Sequence, residues 1–147
     1  MLAQAVVSLD RGIDAIGAGP GDEVFFVERV RKAGDEVVAI NRSWFPKEIG
    51  SRLSEVDLSS GSIYEVLESC CDVVITGGWE RIRAAIPAEP DRVILELSES
   101  VPVLSLERAA YSGKTVVEWR ESLVRDDRFF LAAQWGSEVW NISKLGG

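Results

Sequence analysis

Residues 23–45 constrain the fold more than any other stretch. EVFFVERVRK and EVVAINRSWF are both rich in β-branched and aromatic residues, and only Ala33-Gly34-Asp35 separates them. Strands joined by so short a loop pair antiparallel, because a parallel pair needs a crossover of about a dozen residues or more. Pro46 ends the second strand by removing a ladder donor. The pattern recurs where VPVLSLERAAYS and KTVVEWRESLVR flank Ser112-Gly113. A sheet assembled from two hairpins is mainly antiparallel.

The remaining segments fill in around the hairpins. Residues 2–8 suit a short strand, and Arg11 to Ile16 suit one or two helical turns closed by GAGPG. The polar, serine-rich stretch 47–61 reads as a loop with room for a helical turn. Ser60 or Ser62 then caps a helix. Ser62-Ile63-Tyr64-Glu65 has the capping-box spacing, and Ile63, Val66 and Leu67 give an apolar face. Residues 71–86 read as extended, with a bulge or irregularity at Gly77-Gly78, which puts Cys70 and Cys71 at the start of a strand. Pro87 to Pro90 is a helix entry, and Val93, Ile94 and Leu97 follow at helical spacing. Arg128 to Trp135 reads as a last strand. The order is strands, helix, strand, helix, strands: an α+β fold, a mainly antiparallel β-sheet with helices packed on it. We expect one domain over residues 1–136 and a C-terminal tail at 137–147.

Composition narrows the function. The net charge of −8 sets the surface as a whole against nucleic acid, so any DNA contact must come from a segment outside this chain. With no histidine, Ser–His and Cys–His nucleophilic systems and the commonest metal ligand are excluded. The two cysteines are adjacent and form no C-x-x-C, which points away from a disulfide framework or zinc site. No metal or cofactor is expected. No apolar run reaches the length of a membrane span, and the first residues lack a basic segment followed by an apolar one. The expected location is cytoplasmic.

Candidate binding residues follow from strand alternation. Arg29 and Arg31 share a face with Phe25 and Val27. Guanidiniums beside apolar neighbours are costly unless an anion pairs with them. The alternatives are internal salt bridges or a solvent-facing pair. Glu118 shares a face with Val116 and Arg120, either to orient an arginine or ligand or as an exposed strand carboxylate. Ser62, as a cap, stands at a helix N-terminus, where anions are favoured. Of the five tryptophans, most are expected in the core; Trp119 faces away from Glu118, and Trp79 suits an interface.

Six pieces in order carry a resemblance. They are Glu28-Arg29-Val30-Arg31; Trp44-Phe45-Pro46; Ser62-Ile63-Tyr64; a strand with Glu80 and Ile82; P-V-L-x-L-x-R from Pro102 to Arg108; and the segment from Val117 to Phe129. Together they resemble the UTRA domain, the ligand-sensing half of the HutC branch of GntR transcription regulators, over roughly residues 2–136. The resemblance implies a chorismate-lyase-like fold and a homodimer. It also implies a winged helix-turn-helix, outside this chain, whose DNA binding a small effector controls. It places Arg29, Arg31, Asn41, Ser62 and Glu118 in the effector pocket, with a carboxylate or phosphate as the group bound. Asn41 stands where many members have an acid, Val124 where sugar-phosphate responders often have tyrosine, and Asp126 replaces the usual glycine. The expectation is a regulator and no enzyme. The alternatives are a chorismate-lyase-like enzyme using an Arg/Glu pair, or a dimerisation module without ligand.

Overall fold

The computed structural model describes residues 2–127, 130–135 and 140–145, the last two stretches and Leu2 by backbone alone. Both expected hairpins form. Strand β2 (Glu23–Ala33) turns through Gly34, at φ +61°, into β3 (Glu36–Pro46). Strand β5 (Val103–Ser112) turns through Gly113, at φ +62°, into β6 (Thr115–Arg125). Both glycines take the left-handed conformation that side chains resist. With β1 (Leu2–Ser8) and β4 (Gly77–Ala85) at the edges, the order is β1-β2-β3-β6-β5-β4, antiparallel throughout. Strands β7 (Phe130–Trp135) and β8 (Trp140–Leu145) pair as a separate two-stranded sheet. β8 thus lies in the stretch expected as tail, and Arg128 and Phe129 lie outside the described residues.

Helices pack on both faces of the large sheet. Phe25, Val27 and Phe45 meet helix α1 (Lys47–Leu53) and helix α2 (Ile63–Cys71) through Leu53, Ile63 and Leu67, all buried. Burial of each such side chain contributes roughly 1.5–3 kcal/mol. Gly50 lets α1 press on the sheet, since a methyl group there would run into the Phe25 side chain. On the opposite face, helix α3 (Glu89–Ile94) and the residues after it bury Leu95 and Leu97 against Val37, Ile40 and Val103. Among the described residues, no helix is long and apolar enough to cross a membrane.

Several expectations need correction. Within the stretch read as a loop with a helical turn, residues 47–53 form a seven-residue helix, longer than one turn. Residues 71–76 are not strand: Cys70 and Cys71 close the last turn of α2, and Asp72 ends it in the left-handed conformation at φ 56°. In the run Val73-Val74-Ile75, Val73 and Ile75 pack against the core while Val74 is exposed. Gly77-Gly78 is no bulge; the β4–β5 register is unbroken, and Gly78 is small because it abuts the Ala109 carbonyl. The irregularities fall instead at Arg31/Lys32, where β3 carries one extra residue, and at Ala110/Tyr111. Val93 is exposed rather than in the core. Trp44 and Trp119 are half-buried rather than core, while Trp79, at 41% exposed, is open as an interface residue would be.

Candidate functional site

Register decides which side chains meet. Arg29 pairs with Asn41, and Asn41 with Ser122; Val27 pairs with Ser43, Ser43 with Arg120, and Arg120 with Arg108. Directly opposed residues project to one side. The α1–α2 face therefore gathers arginines from β2, β6 and β5, beyond the point where the apolar core ends. There the serine-rich connection from α1 to α2 borders a half-open cavity of roughly 640 Å³. That volume suits a small metabolite. β2 contributes Arg29, Arg31 and Lys32 to its lining, the connection contributes Ser59 to Ser62, and the far wall is Tyr64, Arg108 and Arg120.

Arg29 is the least satisfied polar side chain of this site. Nη1 donates to the Gly61 carbonyl at 2.7 Å, but Nε is buried with no hydrogen-bond partner. Burial, and then repulsion from Arg120 and Arg31, pull its pKa below the ordinary arginine value. A buried donor without an acceptor costs about 1–3 kcal/mol, more for a charged group. Among the described residues, no carboxylate pairs with Arg29, Arg31 or Lys32.

The other two cations are paired. Arg120 donates to Glu118 Oε2 from Nε and Nη2, at 3.0 and 2.9 Å, and lies 5.1 Å over the Tyr64 ring. Tyr64 donates to Glu118 Oε1 at 2.6 Å. Burial, then the Glu118 charge, raise the pKa of the Tyr64 phenol. Arg108 pairs with Glu80 at 2.9 Å and reaches the Tyr64 hydroxyl at 3.4 Å.

The five residues expected at the site divide. Arg29, Arg31 and Ser62 line the cavity. Ser62 also caps α2, accepting from the Tyr64 amide at 3.2 Å rather than from that of Glu65. Asn41 sits beside Arg29 but is buried and not on the lining, and Glu118 is fully buried beneath Tyr64 and Arg120. Sequence reasoning did not single out Lys32, Tyr64, Arg108 and Arg120 as binding residues. Alternation relative to Glu118 placed Arg120, but only the register brings it beside Arg108. Among the described residues, no group of three or more His, Cys, Asp or Glu side chains is placed to hold a metal.

A family model described as the UTRA domain matches residues 10–129. This chain belongs to the UTRA domain family. The UTRA domain is 28% identical over 127 residues to the HTH-type transcriptional repressor NagR of Bacillus subtilis, covering 86% of this chain and 52% of that protein. It is 24% identical over 115 residues to the HTH-type transcriptional regulator GgaR of Escherichia coli K12, covering 78% and 45%. The chain thus spans about half the length of the curated relatives it matches. Among solved structures, the C-terminal domain of the histidine utilization repressor of Pseudomonas syringae superposes with a TM-score of 0.79 at 17% identity, over 93% of this chain and 100% of that one. The effector domain of PhnF from Mycobacterium smegmatis gives 0.79 at 22%, over 93% and 84%. The fold is therefore that of UTRA, chorismate-lyase-like domains, as expected. The regulators this domain resembles also support a regulatory role.

Proposed function

We propose that this UTRA domain is the effector-sensing part of a GntR/HutC-type transcription regulator. It binds a small metabolite through a carboxylate or phosphate held between Arg29, Arg31 and Lys32 on one side and Ser59 to Ser62 on the other. The observation that carries the reading is the Arg29 Nε, buried at the cavity and unpartnered; beside it stand Arg31 and Lys32, both exposed and without a carboxylate partner among the described residues. Such a group is retained against its cost where an incoming acceptor completes it. The domain carries out no chemistry. It works as a homodimer in the cytoplasm and controls DNA binding by a head outside this chain, since a net charge of −8 disfavours DNA contact by the domain as a whole.

The test is a thermal-shift screen of small carboxylates and phosphate esters. A ligand that binds only the folded state raises Tm with concentration. We expect at least one acid to do so, and its effect to vanish in the Arg29→Ala/Arg31→Ala double variant. An unchanged response in that variant contradicts the assignment. Silence from every acid favours a dimerisation module without ligand. Conversion of chorismate to 4-hydroxybenzoate would establish the enzyme reading in its place.

A further inference from the structure

The charge balance of this cavity carries a second conclusion, which rests on the anion-binding reading above. Five cations line the cavity, yet only Arg120 and Arg108 have carboxylate partners among the described residues. Those partners, Glu118 and Glu80, are not on the lining. Glu118 has no exposure, and the Glu80 side chain is 16% exposed. Both oxygens of Glu118 are committed, Oε1 to the Tyr64 hydroxyl and Oε2 twice to Arg120. Its carboxylate is covered from the cavity by those two side chains, which do line it.

Three positive charges therefore stand uncompensated instead of five. Burying a carboxylate under a binding site carries a desolvation cost that its partner only partly offsets. At this position it also has a binding consequence. An anion entering the cavity is attracted by Arg120 and Arg108 and repelled, at slightly longer range, by the carboxylates behind them.

We propose that Glu118 and Glu80 are positioning and specificity-determining residues. They are internal counter-ions that hold Arg120 and Arg108 in place and limit the negative charge the pocket favours, without touching the effector. Tyr64 fixes Glu118 in that role, and Arg120 stacked on the Tyr64 ring cannot follow a ligand into the cavity without giving up the contact.

This assignment makes a prediction of opposite sign to that of a ligand-contacting glutamate. Removing a ligand contact weakens binding, whereas removing a counter-ion strengthens it, and more for a dianion than for a monoanion. The experiment is calorimetric titration of the 147-residue chain with sulfate and with acetate at constant ionic strength. We expect Glu118→Gln to tighten sulfate by about fivefold to tenfold and acetate by about twofold to threefold, since the Coulomb energy scales with ligand charge. Glu80→Gln, on the edge strand, should act in the same direction by a smaller factor. It also carries the test if circular dichroism shows that Glu118→Gln does not fold. Weaker or unchanged sulfate binding in the folded variants overturns the proposal while leaving the pocket intact as an anion site. Equal loss of sulfate and acetate identifies a purely structural role and also overturns it. If the unaltered chain binds neither anion, the reading of the pocket itself fails, and the counter-ion assignment with it.

Discussion

Two arginines at neighbouring register positions, on opposite faces of the sheet, meet opposite fates. Glu28 pairs with Arg42, and the next pair along the ladder is Arg29 with Asn41. On the α3 face, Arg42 donates to Glu28 at 2.7 Å and to Asp91 at 2.7 and 3.3 Å, tying β2, β3 and α3 together. Its pKa is raised, above all by the hydrogen bond to Asp91. On the α1–α2 face, Arg29 faces an amide that cannot neutralise it, and its Nε has no partner. The same residue type is a finished structural tie on one face and an unfinished one on the other. The difference comes from the partner: a carboxylate at 28 against an amide at 41.

Removing the unfinished side should produce the largest change. The Arg29→Ala/Arg31→Ala variant is expected to lower anion affinity by about a hundredfold or more, from loss of charge-assisted hydrogen bonds. Its urea midpoint should stay level or rise, because a buried unsatisfied donor is gone. Arg42→Ala should show the reverse. It leaves Glu28 and Asp91 facing each other without their cation and should cost about 2 kcal/mol in urea unfolding, discounted because the groups are partly exposed. Its anion affinity should stay within about twofold. Asn41→Asp would give Arg29 the kind of partner Arg42 has, and sulfate should then bind about tenfold more weakly by calorimetry, with stability little changed.

The smallest effect is alkaline. The folded-state pKa of Tyr64 is raised, so its contribution is fully present below the unfolded value of about 10 and is lost as pH rises through the folded value. Above about pH 10, the unfolded phenol ionises first and stability falls. Tyr64→Phe should flatten that part of the pH–stability curve, followed by urea midpoints.

The hairpins were legible because their signals are local: β-prone runs, a loop glycine, a terminating proline. Helix α1 was not. KEIGSRL carries only Ile49 and Leu53 as apolar residues, and Gly50 argues against a helix in sequence although contact with Phe25 requires it. The end of α2 was obscured by Val73 to Ile75, of which Val73 and Ile75 serve packing rather than pairing. At the site, alternation and capping placed Arg29, Arg31 and Ser62, whose ligand role came from the family resemblance and not from those patterns alone. Arg108 and Tyr64 lie 79 and 35 residues beyond Arg29 and reach the cavity only through strand order and the docking of α2. Glu118 was placed on the right face but at the wrong depth, because alternation gives a side and says nothing of what lies above it. Asn41 was recognised as a departure, and its consequence became visible only when register set it opposite Arg29.

If the Arg29 guanidinium is the group that binds the anion, its own Nε–H reports on that directly. Arginine Nε–H resonances can be followed by NMR while inorganic phosphate is added, with Arg29→Lys and Arg42→Lys variants supplying the assignments. The Arg29 resonance is expected to move saturably downfield as Nε gains an acceptor, while that of Arg42 stays fixed. An Arg29 resonance that does not move, at phosphate concentrations that shift other arginines, would contradict it.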